Sequence, residues 1–224
     1  MKLIRSLLAA TMIAAVATPA VAQFDKNSTT STDQLRLVSS GPYSPYGTYT
    51  GRLLQSPGQP IIDMWCDDFT HNFQQNRLIN VTRFDASQTD FDARTRFGYA
   101  KLDDYKKAAY LTQFFAGLTN AAQVQDLHSA IWHLMTPGAP GAIRPGEATW
   151  INLLGGGDWA NINTQYWFVL TDQRVNDGVT RPSLTSQEQL TMVAPEPSAV
   201  ILVSTGLLGI VGLARMRRRG TKKD

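Results

Sequence analysis

Two apolar, uncharged runs sit at opposite ends of the chain, and any globular fold has to be built from what lies between them. Residues 199–214 carry no charge and are dominated by Ala, Val, Ile, Leu and Gly, ahead of Arg215, Arg217, Arg218 and Arg219. Pro195-Glu196-Pro197 precedes this run. Each proline fixes φ and lacks an N–H, so the triplet is expected to be extended and accessible. The run falls just short of the roughly 17–25 residues of a spanning helix, and Arg215 extends it by snorkelling. The arginine cluster is the expected cytoplasmic stop. At the other end, Lys2 and Arg5 precede an apolar stretch over residues 7–16 and an Ala20-Val21-Ala22 ending. That pattern is read by a signal peptidase, with cleavage before Gln23.

These segments divide the chain into a signal peptide at 1–22, an exported domain at 23–194, a sorting segment at 195–219 with its transmembrane part at 199–214, and a polar end at 220–224. About 170 residues remain for the body, enough for one domain with a core. Of the 21 basic and 18 acidic residues, 13 and 16 fall in the body, so its charge is near −3 while the whole chain is +3. A body without concentrated positive charge is not expected to bind nucleic acid. One cysteine, Cys66, excludes an internal disulfide framework.

The ordered blocks at the C-terminus resemble the PEP-CTERM sorting signal of Gram-negative bacteria, through Pro195-Glu196-Pro197, the apolar run with Gly206, Gly209 and Gly212, and the arginines from 215 to 219. The resemblance implies processing by an exosortase, a membrane-embedded cysteine transpeptidase, after a transient stay in the inner membrane. It further implies delivery to the cell surface or an exopolysaccharide (biofilm) matrix, with extracellular polysaccharide as a partner.

Within the body, residues 23–34 are polar, without apolar period, and read as a flexible leader. Strands are expected around 35–37, 48–54, 61–66, 78–84, 165–171 and 187–193 from alternation and β-branched or aromatic content, with turn chemistry at 41–47 and 56–60. Asp103-Asp104 opens a helix filling 105–118. Thr119 or Asn120 caps a second, which runs to about Met135 and stops at Pro137-Gly138. Val124, Leu127, Ile131, Leu134 and Met135 form its apolar stripe, His128 lies at the stripe's edge, and His133 falls on the opposite, solvated side. Residues 139–157 read as a loop. The expected class is α+β: an antiparallel sheet or sandwich with an inserted helical pair.

Chemistry concentrates at Trp65-Cys66-Asp67-Asp68-Phe69-Thr70-His71 and His128-Ser129-Ala130-Ile131-Trp132. A metal site is disfavoured: one soft ligand stands among hard carboxylates, without C-x-x-C or H-E-x-x-H spacing. A cysteine nucleophile would need an imidazole from His71 or His128 and an orienting group, and no hydrolase signature surrounds Cys66. A buried free cysteine beside a helical histidine is the plainer reading. Cys66-Asp67-Asp68-Phe69, a Tyr-rich helix over 105–115 and Ala130-Ile131-Trp132 resemble, over residues 43–135, the layout of Cys–Gln thioester-type surface domains. His128 stands where that family's glutamine does. A thiolate makes the thioester by displacing ammonia from a glutamine amide, and imidazole offers no acyl carbon. The resemblance therefore implies the fold with a degenerate Cys66/His128 pair. The expected role is a non-enzymatic structural or binding one, without cofactor, metal or catalytic residue; the alternative is a surface adhesin or an enzyme using Cys66. Tyr43, Tyr46 and Tyr49 offer a stacking surface for carbohydrate, or pack a sheet.

Overall fold

The computed structural model describes residues 28–69, 71–138, 143–176 and 186–193. The signal peptide, residues 194–224 with the sorting motif and arginine stop, and residues 23–27 of the leader lie outside them. Among the described residues no helix is long and apolar enough to cross a membrane.

Among the described residues the six strands are β1 (Thr30–Ser40), β2 (Thr48–Leu53), β3 (Ile61–Cys66), β4 (Arg77–Arg83), β5 (Trp167–Asp172) and β6 (Gln189–Met192). They close into a barrel in the order β1-β2-β3-β6-β5-β4. All neighbours are antiparallel. The mixed α+β class is as expected, but the sheet is a closed barrel rather than an open sheet or sandwich. Two features account for closure. β1 pairs with β4 through Thr30–Leu35 and with β2 through Leu35–Ser40, with a register shift at Leu37/Ser39 that bends it from one neighbour to the other. β6 then inserts between β3 and β5, removing the last free edges. Residues 30–34, read from sequence as the end of a polar leader, are thus barrel wall; Ser31 and Thr32 are exposed, while Asp33 is buried and accepts from Gln34 and Gln55 N–H and the Ser56 hydroxyl.

Period-2 burial builds the barrel interior. Tyr49 and Leu53 of β2, Ile62, Met64 and Cys66 of β3, and Phe168 and Leu170 of β5 join Leu35, Ile79 and Val81 in one cluster. Gly51 sits among them without a side chain because a Cβ there would lie 2.7 Å from Met64 Sδ and 2.9 Å from Leu35 Cδ1.

The helices fall between β4 and β5: α1 (Gln88–Arg94), α2 (Leu102–Thr112), α3 (Ala121–Met135) and α4 (Glu147–Leu153). Ser87 caps α1 by accepting from Asp90 N–H at 3.2 Å, and Asn120 caps α3 by accepting from Ala122 N–H at 2.8 Å. α2 is shorter than the expected 105–118 helix and gives way to a 3-10 turn at Phe115–Gly117. α4 replaces part of the loop expected over 139–157; its Glu147 meets His133 Nδ1 at 2.8 Å, and Arg144 beside it pairs with Asp126 at 2.6 Å. His133 is accordingly half-buried against α4, not on an open solvated face. The helices cover the β5–β6 side through a second cluster, in which Tyr105, Leu111, Leu127 and Ile131 pack on Trp167, Val169 and Leu190.

Candidate functional site

Helix α3 has two buried faces. Val124, Leu127, Ile131 and Met135 belong to the helical core, while Trp132 belongs to the barrel cluster. His128, one turn before Trp132, lies between the two and is 0 % exposed. The edge position expected from the stripe is therefore interior, since barrel and helices together enclose a wider arc of α3 than one stripe does.

His128 touches three elements at once. Its Nδ1 accepts from Gly47 N–H at 2.7 Å, and its Nε2 lies 2.7 Å from the Cys66 carbonyl oxygen. A backbone N–H can only donate and a carbonyl can only accept, so the ring is the neutral tautomer with its proton on Nε2. Burial, the dominant cause, pulls its pKa down to about 4, against the smaller opposing effect of the Cys66 hydrogen bond. Trp132 (4.5 Å between ring centroids), Phe115 (5.6 Å) and Tyr46 (6.1 Å) enclose it.

Cys66 ends β3 with its side chain fully buried. Its thiol donates to the Asp68 carbonyl at 3.0 Å. Burial, then the nearby Asp67 and Asp68 carboxyls, pushes the thiol well above its ordinary range. The residues of the sequence-derived pair do adjoin, but the imidazole meets the Cys66 backbone, and neither ring nitrogen is left over to act as a base.

Asp67 and Asp68 leave the strand, which lets both be 0 % exposed where continued alternation would have split them. They are not equivalent. Asp68 Oδ2 lies 2.7 Å from His71 Nδ1 and 3.0 Å from Arg96 Nε. Neither carboxyl oxygen of Asp67 has a hydrogen-bond partner. Burial, then Glu188 and Asp68, raises its pKa well above the aspartate range. Glu188 was not singled out in the sequence; it too is 0 % exposed, and it accepts from Tyr105 Oη–H at 2.5 Å, Arg96 N–H at 2.7 Å and the Thr171 hydroxyl. The only signal available for it was an acid within the strand expected over 187–193. Among the described residues no three His, Cys, Asp or Glu side chains have the geometry to hold a metal ion.

Of the three tyrosines, Tyr49 packs inside the barrel. Tyr43 and Tyr46 line a cleft of about 200 Å³ with Gly47, Phe115, Leu118 and Val124. Tyr43 Oη–H donates to the Thr119 carbonyl at 2.8 Å, which ties the β1–β2 loop to the start of α3.

No family model, no curated protein and no solved structure matches the chain.

Proposed function

We propose that the protein is an exported, non-enzymatic component of the cell surface or exopolysaccharide matrix, sorted through its C-terminal segment, whose body is a thioester-type barrel that has given up the thioester. The observation that carries the second half is the use made of His128. Both ring nitrogens are engaged, one with Gly47 and one with the Cys66 carbonyl, so the residue joins the β1–β2 loop, β3 and α3 as a brace. A buried, un-ionised thiol beside it lacks the thiolate that nucleophilic chemistry needs. The sorting half rests on Pro195-Glu196-Pro197, the apolar run and the arginines at 215 and 217–219.

β6 ends at Met192, three positions before Pro195. Cleavage at or beyond residue 194 would thus leave the barrel-closing strand on the mature protein. Thiol titration of the folded body tests the inert-site reading. Slow labelling of Cys66 by a small alkylating reagent, becoming complete in denaturant, is expected. Fast labelling in the native state would favour cysteine chemistry instead.

A further inference from the structure

Asp67 follows β3 directly and Glu188 precedes β6 directly, so the two acids form the next rung of the seam that closes the barrel. That seam is short: Met64↔Thr191, Trp65↔Leu190 and Cys66↔Gln189, then a long Asp67 N–H to Glu188 carbonyl contact at 3.4 Å. Both carboxyls are fully buried, yet their surroundings are opposite. Glu188 accepts three hydrogen bonds, from α2 (Tyr105), β5 (Thr171) and the Arg96 backbone. Such a donor set suits an ionised carboxylate and opposes the burial that raises the Glu188 pKa. Asp67 accepts none from another residue, and for its ionised form burial outweighs the help of its own backbone N–H and of Arg96.

We propose that Asp67 is held protonated next to an ionised Glu188, and that keeping this proton holds β6 against β3.

Every charged or titratable neighbour among the described residues fits. Cys66 on β3 is an un-ionised thiol. Arg96 offers the cation that bears on Asp67, but its Nε lies 3.0 Å from Asp68, its Nη1 2.9 Å from His71 Nε2, and its Nη2 donates to the Ser186 carbonyl at 2.9 Å. His71, 2.7 Å from Asp68, is held below its ordinary pKa by burial. On β5, Asp172 accepts from Ser186 N–H at 2.9 Å and pairs with Arg174 at 3.4 Å. The Tyr105 phenol is pushed up by burial and Glu188 and stays a donor. Loss of the Asp67 proton to solvent would therefore put two carboxylates on one rung of the seam, with Arg96 already engaged by Asp68, His71 and the Ser186 carbonyl.

The sign follows from linkage. An acid whose pKa is raised in the closed state stabilises that state at low pH, and the stabilisation fades as pH rises toward the raised value. Amide exchange of residues 189–192, corrected for the intrinsic pH dependence of exchange, measures it. Opening of β6 is expected to become about tenfold easier per pH unit above pH 5, until Asp67 ionises in the closed barrel. Amides of the β1–β2 ladder should lack that slope, and Asp67→Asn should abolish it. In parallel, the carboxyl carbon of Asp67 in ¹³C-labelled wild-type protein should titrate well above the exposed aspartates. Should Asp67→Asn fail to fold, the wild-type titration decides alone. Titration of Asp67 with the exposed acids, an equal slope across the whole sheet, or a slope that survives in Asp67→Asn would overturn this role for the Asp67 proton. So would a gain in β6 protection on adding Ca²⁺ or Mg²⁺ at fixed pH, which would make the pair a cation site.

Discussion

Acidification should strip away the His128 brace, and comparison with His128→Leu isolates the effect. The folded pKa of about 4 lies below the ordinary 6.5, so the neutral ring is favoured by folding. Its contribution is fully present above pH 6.5 and is lost as pH falls toward 4. At pH 5 the unfolded chain has bound most of a proton that the folded chain has refused, which costs about 2 kcal/mol. Leucine fills much of the space but leaves Gly47 N–H and the Cys66 carbonyl unpaired, at roughly 1–3 kcal/mol each. Wild type should therefore exceed the variant by about 4 kcal/mol at pH 7 and by about 2 kcal/mol at pH 5. Asp67 and Glu188 titrate in both proteins, with opposite sign to His128, and cancel in the difference. Urea unfolding followed by tryptophan fluorescence at the two pH values gives the four free energies. A gap that stays constant or widens toward acid would refute the neutral, doubly engaged imidazole.

Protein recovered from the cell surface should begin at or near Gln23 and end close to Pro195-Glu196-Pro197; intact mass decides this, and retention of residues 207–219 in a host with an active exosortase would indicate a permanent anchor. The processed body, near −3, should bind an anion exchanger and pass a cation exchanger at neutral pH, and retention on the latter would put the assigned boundaries wrong. Gly51→Ala should cost about 1–3 kcal/mol, because the new methyl meets Met64 and Leu35 inside a packed barrel, although Met64 can partly yield. A thermal melt unchanged by Gly51→Ala would mean the barrel interior is looser than described.

Local signals carried most of the elements. Alternation over 48–54 and 61–66, and the aromatic run at 165–171, correspond to β2, β3 and β5, and Asn120 and Pro137 bracket α3. Closure was not legible. It depends on β6 pairing with strands more than a hundred residues and about twenty residues away, and on one bulge in β1, neither of which leaves a periodic trace. α4 escaped notice because seven residues in a Gly/Pro-rich stretch have weak local preference, and its anchor is the distant His133–Glu147 pair. At the site, Cys66 and His128 were legible by residue type. Their geometry was not: the histidine partners are a backbone N–H and a carbonyl, which any sequence supplies. Glu188 was invisible for a related reason, since its partners come from α2, β5 and the turn after α1, and only the fold brings them together.

Intact-mass spectrometry of the folded wild-type body, with and without methylamine and beside His128→Gln, puts the inert Cys66/His128 pair to its most direct test. Wild type should show the full mass of its sequence, one free thiol and no change with methylamine, because an imidazole braced between Gly47 and Cys66 supplies no acyl group. Loss of ammonia or a methylamine adduct in wild type would reveal a thioester drawn from another side chain, and would contradict the structural role given to the pair.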